Sequence, residues 1–378
     1  MQSEFYNQGS RRYLIRTDPF DDAVRPDPDT RAKTASKKAS KKASKKAADK
    51  RQAGGKKENT SKLVFPDSFN ADFQLKNNSK VQEIYFGNDF NSEFTVEGGA
   101  HKDVKILSFG WNFNKDIQGL LSAAPFTDLE ELYLDGNFNQ DLKINLPGLK
   151  KLRLSHDFNQ PLLRNDPVTT TPLDQFPELT HLWFGDSYNQ NEFAGINEAT
   201  NVLRKFPKLE LVQLGSQFNG VVQFPAGSTI KRLTFGKNFA QDLDFTNVTD
   251  LKHLTMHDES GTGNTLSFPD AHNITALAAG NFGVTTATPG GTLPNLTHLQ
   301  LGKNPTVKNA DLKTLLGKTP KVEKVENALF DDADEDLATI GSLTEIVFHS
   351  NTNKNVELKP EVKATYQGAG SSSNWAYA

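Results

Sequence analysis

The sequence predicts an α/β repeat solenoid of about 13 coils, stacked through a parallel β-sheet, with turn-rich returns and a few short helices. Three observations lead there. A phrase of aliphatic and aromatic residues recurs every 20 to 30 residues from Leu63 onward. Within each copy the apolar positions are spaced as on a short strand, two apart, rather than on a helix face. Hydrophobic content is 36% over 378 residues, with 26 Phe and 2 Met. That suits an elongated stack of thin coils better than one round core.

Taken in order, residues 1–30 form an N-terminal arm. It carries Arg11, Arg12, Asp18, Asp21 and Asp22 and no apolar run, so it does not read as a secretory signal. Residues 31–60 form a basic low-complexity linker in which Ala-Ser-Lys-Lys repeats three times. It carries 12 Lys and Arg against 2 acids, whereas residues 61–378 carry 27 against 38. Such a linker has no apolar surface to bury alone. Its lysines at i and i+4 repel one another on a helix, and a polyanion would relieve that repulsion. Gly54 and Gly55 then form a joint.

The solenoid spans residues 61–360, and 361–378 is read as a C-terminal tail. The repeat places an aliphatic at positions 1 and 4, an aliphatic or Phe at 6, often Gly at 7, an aromatic at 10 and Asn at 11. VQEIYFGNDFN (81–91), VKILSFGWNFN (104–114), LEELYLDGNFN (129–139), LKKLRLSHDFN (149–159), LTHLWFGDSYN (179–189) and LELVQLGSQFN (209–219) all fit. Residues 61–70 are an atypical first copy, and 230–240 loses only the Asn. Copies near 251, 274, 296, 322 and 343 keep the aliphatics and lose the Phe-Asn pair. Two of the coils are 30 residues long and leave room for helix. Residues 197–206 place Val202, Leu203 and Phe206 on one helical face with Asn197 as cap. Residues 309–318 do the same with Leu312, Leu315 and Leu316, capped by Asn309.

The Phe-Asn pair reads as structural. The Phe fills the wide end of each coil and should stack on its neighbours. The Asn is expected to be buried and to satisfy backbone groups of its own and adjacent coils. A row of ligand-binding amides would not need a bulky apolar residue at every rung.

L-x-x-L-x-L at this period is the leucine-rich-repeat signature. Asn112-Phe113-Asn114, Phe138-Asn139-Gln140 and Phe158-Asn159-Gln160-Pro161 make the likeness narrower. These phrases resemble the FNIP repeat, a leucine-rich-repeat relative found in social amoebae and giant DNA viruses, over residues 61–240. The Ile-Pro element of that family becomes Gln160-Pro161-Leu162 here, so the chain resembles a divergent member. The resemblance implies a solenoid with an interaction role and no catalytic residues. FNQDL also resembles certain bacterial surface-protein repeats, but their Trp and Met are missing.

Positions 3, 5, 7 and 8 project from the strand face away from the core. They bring Tyr85, Trp111, Tyr133, Arg153, His156, His181 and Trp183 onto one side, residue types enriched at interfaces. Arg232, His253, His257, His298 and His349 continue the same face, and the bland reading is a set of scattered surface residues. His253 and His257 are four apart, which suits a helical metal pair but does not converge on a strand-to-turn path. The acidic run Asp331, Asp332, Asp334, Glu335 and Asp336 lacks the Gly and final Glu of a calcium loop and reads as a solvated loop or helix start.

Lys37, Lys38, Lys41, Lys42, Lys45, Lys46, Lys50 and Arg51 are the candidate polyanion-binding residues. The alternatives for the linker are a nuclear localisation signal or a solvated spacer, and with no interleaved aromatics sequence-specific readout of nucleic acid is not expected. Absence of Cys removes disulfides, a thiol nucleophile and a Cys-ligated zinc, and points to a reducing compartment. The sequence contains no P-loop, G-x-S-x-G, H-E-x-x-H or dinucleotide fingerprint, so it nominates no catalytic residue, cofactor or metal. No stretch approaches the ~20 apolar residues of a membrane span. The expectation is a non-enzymatic scaffold that binds a protein through its strand face and uses a basic arm for polyanion attachment. The alternative is a structural part of a large assembly, such as a giant-virus particle. The expected location is the cytoplasm, the nucleus or a virion.

Overall fold

The computed structural model describes residues 5–8, 11–14 and 62–377, apart from 78, 99–100, 122–123, 143–145, 163–175, 195–200, 289–290, 303–320, 329–334, 337–341, 349–355, 359–360 and 367–374. The chain divides into two units, Met1–Glu58 and Asn59–Ala378. In the first, Phe5–Gln8 and Arg11–Leu14 pair antiparallel. The basic linker, and with it Lys37 to Arg51, lies outside the described residues, as does the expected helix at 309–318.

The second unit is a parallel solenoid. Its principal sheet has 14 strands in strict chain order, one more than the repeats found in the sequence. The series starts at Lys62–Val64 and passes through Glu83–Tyr85, Ile106–Phe109, Glu131–Leu134, Lys151–Arg153, His181–Trp183 and Leu211–Gln213. It continues through Arg232–Phe235, His253–Met256, Ala276–Ala278, His298–Gln300, Lys324–Ala328 and Glu345–Phe348. It ends at Lys363–Tyr366, inside the segment read from sequence as a tail. Trp375–Tyr377 also pairs, parallel to Val356–Leu358.

Register follows the repeat. Position 4 forms an unbroken row, Ile84–Leu107–Leu132–Leu152–Leu182–Val212–Leu233–Leu254–Leu277–Leu299–Val325, and every member is buried. No single coil could bury that row; stacking makes it one continuous core. Short parallel strands also form on the return side, at Phe73–Leu75 with Phe94–Val96, and at Leu243–Asp244 with Thr265–Phe268 and Gly283–Thr286.

The position-10 rings form a column. Phe69, Phe90, Phe113, Phe138, Phe158, Tyr188, Phe218 and Phe239 stack with centroids 5.8–6.3 Å apart and planes within 11° of parallel. Rings at position 6 lie 4.0 Å from the position-10 ring of their own coil at Phe86–Phe90, Phe109–Phe113 and Phe184–Tyr188. The one hydroxyl in the column, on Tyr188, donates to the buried Glu192 carboxylate at 2.6 Å. Burial, together with the adjacent carboxylate, pushes the Tyr188 phenol up.

The asparagines differ from expectation. Asn91, Asn114, Asn139, Asn159, Asn189 and Asn219 are exposed, not buried. Each side-chain carbonyl accepts the backbone N–H of position 11 in the next coil, at 2.9–3.0 Å, from Asn70 through to Ala240. The Gln that follows joins in: Gln140, Gln160 and Gln190 donate to the Asn carbonyl of the previous coil. The F-N-Q phrase is therefore an inward ring, a surface staple and a second donor to that staple.

Helix is sparse. Gln118–Leu121 makes one α-turn, and Ala124–Phe126 and Val202–Lys205 are 3₁₀ turns. The cap of the last is Asn201, whose side chain accepts from Leu203 N–H, rather than Asn197, which lies outside the described residues. Val202, Leu203 and Phe206 are buried, as their spacing predicted. In the acidic run, Glu335–Asp336 is a strand paired with Val356–Leu358, not a loop or helix start.

Candidate partner-binding face

Every second strand residue points away from the core, and parallel register aligns these residues into rows. Position 5 gives Val64, Tyr85, Ser108, Tyr133, Arg153, Trp183 and Gln213, and position 3 gives Lys62, Glu83, Ile106, Glu131, Lys151, His181 and Leu211. Five of the seven candidates, Tyr85, Tyr133, Arg153, His181 and Trp183, thus share one patch of sheet. Trp111 and His156 sit beside it, just past their strands.

The two tyrosines are less accessible than their positions implied: Tyr85 is 8% and Tyr133 4% exposed. Both lie within the same motif, Glu-x-Tyr. Tyr133 O–H donates to Glu131 Oε2 at 2.6 Å, and Tyr85 O–H to Glu83 Oε2 at 3.0 Å. A cation from a neighbouring coil covers each ring, Arg153 at 4.8 Å over Tyr133 and Lys62 at 4.4 Å over Tyr85. Arg153 also pairs with Asp135, and Lys151 with Glu131 at 2.9 Å. Burial and the Glu131 carboxylate both push the Tyr133 phenol up. These side chains are largely satisfied within the chain, and Tyr133 acts as packing for the sheet face.

Of the tyrosines and tryptophans on this face, the tryptophans are the more accessible. Trp111 is 39% exposed, while Trp183 is half-buried beside His181 at 5.4 Å. Trp111 reaches past the next coil, where Gly136 offers no side chain, to the ring of His156 at 6.1 Å. His156 lies between two carboxylates, with Nδ1 2.8 Å from Asp157 and Nε2 3.2 Å from Asp186. Asp186 in turn accepts from Ser216 N–H and Oγ, which ties this turn to the coil beyond. Burial, reinforced by the Lys151 charge, lowers the His181 pKa and favours neutral imidazole.

The partners Glu131, Asp135, Lys151 and Asp186 were not singled out from the sequence. The Glu-x-Tyr spacing was the available signal, because residues i and i+2 of a strand share a face. Among the described residues, no group of three His, Asp or Glu is placed to hold a metal ion. No helix among them is long and apolar enough to cross a membrane.

No family model matches the sequence, and neither does any curated protein. Among solved structures the chain is similar to CroV588, a circular leucine-rich-repeat protein, at TM-score 0.57 and 21% identity, covering 83% of this chain. The match spans 43% of the length of CroV588. An internalin, InlF of Listeria monocytogenes, matches over 84% of this chain at 16% identity and TM-score 0.38. The likeness to CroV588 agrees with a leucine-rich-repeat type of solenoid.

Proposed function

We propose that the protein is a non-enzymatic interaction scaffold that binds a protein partner through the strand face around Trp111, His156, His181 and Trp183. One observation carries this reading. Among the described residues the large hydrophobics are buried almost throughout, yet Trp111 stands exposed on a face already lined by aromatic and charged residues. An exposed Trp beside such a patch is the kind of anchor on which binding energy concentrates. The leucine-rich-repeat fold supports the reading, and the repeats at 61–240 add the likeness to FNIP proteins.

Trp111→Ala is expected to weaken a partner isolated with the full-length chain roughly thirtyfold, with an unchanged thermal midpoint. Calorimetric titration of the purified pair checks this. Undiminished affinity, or binding lost only because the fold is lost, would remove the strand face from consideration.

The basic linker is proposed to attach the scaffold to a polyanion through Lys37 to Arg51. Its charge excess over an acidic body supports this. Deleting residues 31–60 should abolish retention on a nucleic-acid column and flatten the salt dependence of elution. Equal retention with and without the linker contradicts the attachment role. A second reading, a structural part of a larger assembly, is favoured by the open sheet edge at Lys62–Val64.

A further inference from the structure

The first coil ends the core without closing it. Lys62–Val64 is the terminal strand of the principal sheet and, among the described residues, pairs only with Glu83–Tyr85. Backbone groups alternate sides along a strand, and Phe65 N–H points to the second coil, donating to Tyr85 O at 2.9 Å. Leu63 shares that direction. The N–H and C=O of Lys62 and Val64 therefore point outward along the open edge. Behind them Leu63, Phe65, Phe69 and Phe73 are only partly buried, whereas the corresponding rings Phe86 and Phe90 of the next coil are buried. Val64 is 56% exposed.

Sheet edges are ordinarily guarded by outward charge, Pro or a covering segment. The one charge on this strand is drawn inward: Lys62 Nζ lies 3.2 Å from Glu83 and over the Tyr85 ring. That leaves the edge without a charged guard.

We propose that this edge is a self-association surface on which a second copy of the chain pairs antiparallel about a two-fold axis at Leu63. In that register Lys62 faces the partner's Val64, and the two exchange both backbone hydrogen bonds, as do Val64 and the partner's Lys62. The edge is thus complementary to itself, as an isologous interface requires. Leu63 from each copy lies on the core side, so the two open cores meet. Charge separates this from head-to-tail stacking. The register row that runs Lys324–Glu345–Lys363 at one end and Lys62–Glu83 at the other would set a lysine beside a lysine, and like charges directly opposite destabilise a sheet. This inference concerns a different surface from the tryptophan face and stands whether or not that face binds a partner.

Sedimentation velocity of the full chain across micromolar concentrations tests it, with hydrogen exchange at the Lys62 and Val64 amides. The expected result is a monomer–dimer equilibrium in which both amides gain protection as the dimer forms. Val64→Pro removes an outward donor from each copy and should weaken the dimer about thirtyfold. Val64→Lys restores a guard of the usual kind and should act in the same direction. Thermal midpoints like that of the parent show that both variants remain folded. A monomer at all concentrations overturns the proposal, and so does a dimer indifferent to both substitutions. Protection of the two amides in a monomer means that another segment covers the edge, which overturns it too.

Discussion

Gly185→Ala should destabilise the solenoid by roughly 3 kcal/mol or more, although it adds one methyl group at a residue of ordinary backbone conformation. Overpacking a tight site costs about 1–3 kcal/mol and occasionally more, and this site is at the upper end. A Cβ on Gly185 would stand 1.9 Å from the carbonyl oxygen of Ser155, 2.4 Å from its carbon and 2.5 Å from the Cα of His156. All three are backbone atoms, so no rotamer change relieves the contact. The coils must separate, and that breaks the Ser187 N–H to His156 O bond of 2.9 Å. Gly87, Gly110, Gly215 and Gly236 meet the preceding coil in the same way, at 2.0–2.4 Å. Gly148→Ala is the control, since the nearest atom to its Cβ is 3.6 Å away. It should shift stability by less than about 0.5 kcal/mol. Urea denaturation of the two variants beside the parent decides the matter. Equal midpoints for Gly185→Ala and Gly148→Ala would show that the coils are not closely stacked at this turn.

The repeat made the stacked sheet legible because its period is physical. Leu132 and Leu152 must face one way on their strands, and twenty residues return the chain to the same place. The same logic, carried one residue further, would have placed the asparagines correctly. Asn139 follows Phe138, which points inward, and neighbours in extended chain alternate sides. Treating Asn as buried assumed that a repeated amide must serve the interior. In fact the backbone donor it satisfies belongs to Asn159 of the next coil and lies at the surface.

Other features carry no periodic signal. The return strand Phe73–Leu75 is three residues long, too short for an alternation to stand out, and its pairing with Phe94–Val96 comes from stacking itself. Tyr133 shows the opposite problem. Its position on the outer face was right, but its exposure depended on Arg153, which comes from another coil and lies across its ring. Row membership could be read from the sequence. Which neighbour covers which depends on side-chain reach across 4.7–4.9 Å between strands, and that reach is not encoded in spacing. Gly136, at the equivalent turn of the next coil, brings its backbone against that of Trp111 and adds no side chain beside it.

Phe138→Ala is expected to cost about 3–5 kcal/mol, the range for emptying a buried aromatic site. Phe138 has no exposed surface and lies between Phe113 at 6.1 Å and Phe158 at 6.3 Å, both within 6° of parallel. The chain itself shows what closing such a gap requires. Coil 251–260 has Ser260 in place of the ring, yet the column continues, because Phe239 and Phe282 come within 6.1 Å of each other. Phe282 fits there because the next residue is Gly261, where a Cβ would lie 1.9 Å from its ring. After Phe138 comes Asn139, whose side chain is stapled to the following coil. No neighbour can move in, and the cavity persists. Phe138→Tyr separates volume from polarity. Tyr188 is tolerated in the column because Glu192, four residues on, accepts a hydrogen bond from its hydroxyl, whereas the residue four after Phe138 is the buried Leu142. The tyrosine variant should therefore lose about 1–3 kcal/mol through an unpaired buried hydroxyl. Chemical denaturation of both variants measures the two effects in one series. A Phe138→Ala protein within about 1 kcal/mol of the parent would mean that the column relaxes freely, and that the rings are filler rather than the spine of the stack.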